Sequence, residues 1–383
     1  MRAMYVLGDV PARGTGGYTR AASTIRALAR AAEVEVTWPD RPQLEADPAL
    51  AAASGVSVRP VAGRGIGGRA GAGARALARG RPVAVARSVK PALVRAVADR
   101  LDGGGIDVVI ADQLAAAVAC IEAGAPRATR SVYNANNLEW RLRRSGGAAQ
   151  RLRWAGTRRL EREVLGAFGQ SWMVSEADRA EALELCPGAE VRVISNALDL
   201  SAISPVERPA PEPVVLLVGS FDYEPNRRGL QWLVREVMPA VWRTRSEVRL
   251  RVVGRWPGRP WEPGDARVEV HGFVPDIAAA YASARCCAAP LLIGGGTPLK
   301  VVEALAYGLP LVATATAVRA LSALAPGRDL LVADDPREFA AALLEVLDPA
   351  YDHAARGRRA RAAVEASYSV DAIAGDVARA LSE

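Results

Sequence analysis

Short apolar runs alternate with Ala/Leu/Arg-rich stretches of helical character along the whole chain. In the first half AMYVLG, VEVTW, IDVVIA, RSVYNA, QSWMVS and EVRVIS read as buried strands. A Pro-rich, charged segment, ISPVERPAPEPVV, then breaks the pattern, and residues 204–213 read as a linker. The alternation restarts with VVLLVGS, VRLRVVG, VEVHGF, RCCAAP, LPLVAT and LLVA. Strand and helix in strict alternation predict parallel sheets covered by helices on both faces. The expected architecture is α/β, with two doubly wound, Rossmann-like domains facing across a cleft. Ligands of such sheets sit at the carboxyl ends of the strands.

Composition narrows the class. With 383 residues, half of them apolar, the chain is long enough for two domains with their own cores. No apolar run approaches the ~18 to 20 residues of a membrane span. MRAMYVLGDV reads as a first strand and not as a signal peptide. The four cysteines, Cys120, Cys186, Cys286 and Cys287, lack metal-ligand spacing and read as buried thiols of a cytoplasmic protein. Two histidines, His271 and His353, leave little choice of imidazole base.

The net charge of +7 is local. Residues 51–100 hold ten Arg and Lys against one acid, Asp99, a balance of +9. The remainder holds 39 basic and 41 acidic residues, a balance of −2. This stretch is either a solvated Arg-rich face or a surface for an acidic partner, such as an anionic membrane at which the protein would sit peripherally. Nucleic acid is disfavoured, because few aromatic residues are interleaved for stacking.

Each candidate site follows a strand. GDVPARGTGGYTR puts Gly16 and Gly17 before a helix but lacks the spacing of a dinucleotide fingerprint, which argues against a nicotinamide dehydrogenase. In GGGTPLKVVEALAYGLPLVAT, Thr297 is expected as N-cap, Pro298 at the first helical position and Gly308 just past the end. The glycines leave bare N–H groups at the positive end of that helix, suited to a diphosphate. Glu303, set among Val301, Val302, Ala304 and Leu305, suits a ligand hydroxyl.

Taken in order, VSEADR, RVISNALDL, VGSFDYEPN, VVGR, VEVHGFVPD and APLLIGGGTPLKVVEALAYGLPLVAT resemble the GT-B-fold nucleotide-sugar glycosyltransferases of family 4, and in particular a bacterial branch with a GSxDYxPN signature. The resemblance covers the chain. It implies an N-terminal acceptor domain over 1–203, a donor domain over 214–365, and a C-terminal helix in 366–383 returning towards the first domain. Glu303 matches the acid that holds the ribose, and backbone around Gly295, Gly296, Thr297, Pro298 and Leu299 faces the diphosphate. Arg227, Arg228 and Lys300 match its cations, with Arg228 the better match to the family's phosphate-binding residue. Ser220, Arg255 and the Gly272–Phe273–Val274 segment line the rest of the donor site, and Gly16 and Gly17 match the loop that closes over it.

The chain also departs from the pattern. Gly295 and Ser220 stand where many members carry Glu and Arg, both traits of this branch. In NANNLEW, Asn134 and Asn136 replace an Asp and a His, and the His normally contacts the donor sugar. Asn136 can hydrogen-bond a sugar hydroxyl but cannot move a proton. Retaining enzymes of this kind need no protein base, since the leaving diphosphate can take the acceptor proton. An inverting one would need a carboxylate, for which Asp112, Glu139 and Asp9 are candidates. The expected activity is sugar transfer, with retention, from a nucleotide sugar to a hydroxyl or amino acceptor, either a small molecule or a glycan. No cofactor or metal is expected, since no Asp-x-Asp stands at a strand end. The Arg/Ala-rich composition points to a high-GC bacterium, and so to secondary metabolites, such as aminoglycoside-type antibiotics, or cell-surface glycans. The altered NANNLEW keeps two alternatives open: a pseudo-glycosyltransferase acting on an activated cyclitol, and a silent nucleotide-sugar-binding partner.

Overall fold

A computed structural model describes residues 1–11, 16–40, 46–62, 82, 85, 88–140, 148–207, 210–294 and 297–383, with 16 and 148–154 described by their backbone alone. The chain divides into two compact units, Met1–Asn196 with Ile373–Glu383, and Ala197–Ala372.

The first unit is built on a seven-stranded parallel sheet of β1 (Arg2–Leu7), β2 (Glu33–Pro39), β3 (Val56–Val61), β4 (Val108–Asp112), β5 (Arg130–Asn134), β6 (Gln170–Met173) and β7 (Val191–Val193). Its order is β3-β2-β1-β4-β5-β6-β7. Six of these strands are the apolar runs of the sequence. The edge strand β3 was not expected: VSVRPV alternates between partly and fully exposed positions and contains Pro60, which an edge strand tolerates and an interior one does not. Arg59 of β3 and Arg100 both pair with Glu35 of β2, at 3.5 and 3.0 Å. Those two cations of the basic stretch thus share one carboxylate within the unit and are only partly neutralised. Arg64, Arg69, Arg75, Arg79, Arg81 and Arg87 lie outside the described residues.

The second unit carries β8 (Val214–Val218), β9 (Arg249–Val253), β10 (Val268–His271), β11 (Cys286–Ala289), β12 (Leu311–Ala313) and β13 (Leu331–Val332), all parallel in the order β10-β9-β8-β11-β12-β13. Two apolar layers sandwich this sheet. One is centred on Val301, Leu305 and Tyr281, and the other on Leu233, Val241 and Phe339. The Pro-rich stretch read as a linker belongs to this unit: the Val206 N–H bonds the Tyr307 carbonyl at 2.8 Å. The unit begins earlier because Leu198 bridges to the end of the helix His353–Tyr368, its N–H on the Tyr368 carbonyl at 2.8 Å. Among the described residues no helix is long and apolar enough to cross a membrane, and the four cysteines are free thiols, three of them buried.

One contact fixes the ends of the central strands. Gly254, after β9, has φ +148°, and a Cβ there would lie 1.7 Å from the Gly219 carbonyl oxygen after β8. The two loops therefore stack backbone on backbone. Gly254→Ala adds an overlap and a strained φ, and is expected to destabilise by roughly 3 kcal/mol, read as a lowered urea midpoint at unchanged slope.

Candidate functional site

The carboxyl ends of β8–β12 gather most of the residues singled out in the second half. The helix Leu299–Ala306 starts one residue later than its sequence suggests. Pro298, extended at φ −73° and ψ 94°, is the N-cap, and its carbonyl takes the Val301 N–H at 2.9 Å. Thr297 is buried just before it, outside the N-cap position. The other end follows expectation. Gly308 has φ +73°, its N–H bonds Leu305, and the Leu309 N–H reaches back to Ala304, the double bond of a left-handed helix stop.

Lys300 lies in the first turn of this helix. Its amine donates to the Asn226 side-chain oxygen, and the Asn226 amide nitrogen donates to the Ser220 carbonyl at 2.7 Å. No carboxylate pairs with Lys300 among the described residues, and burial pulls its amine down to about 8. A cation partly withdrawn from water without a counter-charge is stabilised when an anion joins it. One turn on, Glu303 accepts the Tyr281 phenol at 2.9 Å, and the Tyr281 ring stacks on Tyr307 at 4.3 Å between centroids. Burial raises the Glu303 carboxyl, and the Tyr281 hydrogen bond opposes that rise.

The other expected cations are differently engaged. Arg228 is half-exposed and pairs with Glu224 at 2.6 Å one helical turn away. An exposed bridge of this kind contributes only about 0.5 kcal/mol and releases its arginine readily. Arg227 donates to the Phe221 carbonyl, and Arg255 pairs with Asp222 at 2.6 Å. Gly272 accepts the Gly254 N–H at 3.2 Å, and Val274 packs against the core. Phe273 is 61 % exposed. With Tyr223, Leu292 and Ile293 it makes up the exposed large apolar side chains other than Met1 among the described residues, and all four follow strands of this sheet. Gly295 and Gly296 lie outside the described residues.

In the first unit the corresponding strand ends carry a buried polar network. Arg20, fully buried on the helix Gly16–Leu28, donates to Asn134 Oδ1 at 2.6 Å, Asn196 Oδ1 at 2.8 Å and the Ile194 carbonyl at 3.0 Å. Asn134 passes the polarity on, its Nδ2 donating to Asp112 at 2.9 Å and to the Tyr5 hydroxyl at 2.8 Å, while the Tyr5 hydroxyl donates to Asp112 at 2.8 Å. Burial pushes the Asp112 carboxyl up to about 6, against the pull of those hydrogen bonds and of Arg20. Covered and fully engaged, Asp112 is placed to orient its neighbours and not to meet an acceptor at the surface.

One of those neighbours is Gln113, which the sequence did not single out. It sits at φ +66°, alone among the described non-glycine residues in positive φ, with its Nε2 3.4 Å from Asp112. A Cβ on Gly17 would lie 3.1 Å from Gln113 Nε2 and 3.5 Å from Asn136 Nδ2, so Gly17, Gln113 and Asn136 converge. The Oδ1 of Asn136 is buried with no hydrogen-bond partner among the described residues. That orphaned acceptor suits a ligand hydroxyl or amine. Gly16 opens the same helix.

Glu161, also unforeseen, is fully buried on the helix Ala148–Ala167. It accepts the backbone N–H of Glu139 at 2.7 Å and of Trp140 at 2.9 Å, anchoring the segment that carries Asn136. Of the remaining acids, Asp9 Oδ1 accepts the N–H of Val10 at 2.8 Å. His353 is tied to two backbone carbonyls. Among the described residues no group of three His, Cys, Asp or Glu is arranged to hold a metal.

Residues 212–349, from β8 through the helix Pro336–Leu347, match the family described as Glycosyl transferases group 1. None of the curated proteins matches the chain. Among solved structures, the sucrose-phosphate synthase of Thermosynechococcus elongatus superposes with a TM-score of 0.74 at 20 % identity, over 100 % of this chain and 99 % of that one. The Anabaena protein HepE, in complex with UDP and glucose, gives 0.70 at 15 % identity over 100 % of both chains. A lipopolysaccharide outer core galactosyltransferase, WaaB, gives 0.62 at 15 % over 100 % and 99 %. At such identities the likeness shows the fold, the paired parallel α/β units of GT-B.

The strained Gln113 yields a direct test. Left-handed φ costs a non-glycine residue about 1 kcal/mol, and glycine avoids it. Gln113→Gly is expected to hold or raise the melting temperature, whereas Gln113→Leu keeps the strain and does not, as differential scanning calorimetry would read.

Proposed function

We propose that the protein is a glycosyltransferase that moves a sugar from a nucleotide-sugar donor to a hydroxyl or amino acceptor, with retention and without a metal. The observation that carries this reading is Lys300: a half-buried amine with no counter-charge among the described residues, in the first turn of a helix within the matched segment. A donor diphosphate supplies the missing anion. Arg228, released from Glu224, is the second cation, and Glu303, held by Tyr281, takes the ribose hydroxyls. The orphaned Oδ1 of Asn136 takes a sugar hydroxyl.

Transfer breaks the bond from the anomeric carbon to the diphosphate oxygen and joins that carbon to the acceptor oxygen or nitrogen. The departing diphosphate oxygen takes the acceptor proton on the same face, so no side chain has to act as base. Lys300 and Arg228 stabilise the charge that develops there. Asn136 hydrogen-bonds the sugar without exchanging a proton, and the covered Asp112 is not required to act as one. A small metabolite or a cell-surface glycan is the acceptor class, and residues 51–100 are the candidate surface for an anionic membrane.

Two experiments test this. In calorimetric titrations with UDP, GDP, dTDP and ADP, one nucleoside diphosphate should bind, and Glu303→Ala and Lys300→Met should each weaken it at least tenfold. No heat from any of the four would remove the donor-site reading. The second is its pH dependence. Lys300 is charged below about 8 and loses its proton above. Diphosphate affinity should therefore fall as pH rises from 7.5 to 10 in the wild type and stay level in Lys300→Arg, whose guanidinium remains charged.

A further inference from the structure

The loop Asn136–Trp140 has an anchor that resides on another element. Glu161 has neither side-chain oxygen in water: one takes the Glu139 N–H and the other the Trp140 N–H. No cation pairs with it among the described residues. The groups around it are acids and a phenol: Glu139 on the loop itself, Tyr133 on β5 and Glu181 on the helix Glu176–Leu185. Two peptide N–H groups converging on two oxygens favour the ionised form, because protonation turns one oxygen into a hydroxyl and weakens it as an acceptor. Asn136 lies three residues from the first of those N–H groups, at the end of β5.

We propose that Glu161 is a positioning residue, whose ionised carboxylate holds the Glu139 and Trp140 peptides and thereby presents Asn136 to the sugar. Burial works against that ionised form and lifts the Glu161 carboxyl to about 8. The anchor is therefore complete at alkaline pH and half-released on protonation. The burial that makes the loop bonds strong also makes them proton-sensitive. The role given to Asn136 rests on the sugar-transfer reading above, whereas the anchoring of the loop does not.

The test has two arms on the full-length protein. Hydrogen–deuterium exchange of the 135–140 segment, corrected for intrinsic exchange, should show protection rising from pH 6.5 to 9 in the wild type. In Glu161→Gln it should be at least tenfold lower at pH 9 and independent of pH, with Val132 and Tyr133 still protected as a check on folding. Equal protection in the two proteins overturns the anchor. The second arm measures hydrolysis of UDP-glucose by the wild type, Glu161→Gln, Asn136→Ala and the double variant. Each single change is expected to lower kcat at least tenfold, and the double variant no further than Asn136→Ala. Losses that multiply instead overturn action through Asn136. Absence of hydrolysis by the wild type removes UDP-glucose as donor and leaves the exchange arm to decide the anchor.

Discussion

A charge withdrawn from water must be answered by another charge or by oriented dipoles, and at the strand ends of this protein the answers are incomplete. Arg20 is met by three neutral oxygens, with Asp112 reached through the Asn134 amide. Lys300 meets one amide oxygen and no acid among the described residues. Glu161 meets two peptide N–H groups and no cation. These groups tax the free protein, and the surrounding fold can be understood as the apparatus that holds them despite the tax. The Gly254–Gly219 stack, the double bond that stops the helix at Gly308 and the Tyr281–Tyr307 pair hold their surroundings in place. The deficit at Lys300 is left for a ligand to make good.

The two sheets show how much of this is written locally. Twelve of thirteen strands announce themselves as apolar runs: the nine interior ones are buried on both faces and read as unbroken hydrophobicity, and the edge strands β7, β10 and β13 are legible from the Val and Leu they retain. The exception, β3, is an edge strand whose side chains alternate between partial and full exposure, and nothing in VSVRPV separates it from a loop. The unit boundary was equally hidden. Proline and charge marked residues 204–213 as a connector, yet what places a boundary is where hydrogen bonds change partners. The bond from Leu198 to Tyr368 spans too many residues for composition to reveal.

The sites divide the same way. Glu303 stands out because a charged residue amid Val, Ala and Leu asks for an explanation, whereas Lys300 enters only through the family resemblance. The same signal is present at Glu161, set among the buried Leu160, Val164, Leu165 and Phe168, but without an adjoining glycine loop it does not separate from an ordinary helix-surface acid. Tyr281, 22 residues from the carboxylate it bonds, and Gln113, whose distinction is one backbone angle, leave no mark in the sequence at all. Asn134 was noticed for the residue it replaces. Its work became apparent only from its neighbours, for an acid in its place would face Asp112 across 2.9 Å.

The first unit is discontinuous: residues 373–383 belong to it, although the 176 residues from 197 to 372 come between. Synthesis proceeds from the amino terminus, so residues 373–383 join the body begun first only after the second unit has been made. Until those residues emerge, the first unit is incomplete although most of the second has already been made. A fragment ending at Asn196 is for the same reason not a natural domain, and a faithful one would carry the distant tail grafted back on. Order of manufacture and order of completion run in opposite directions in this chain.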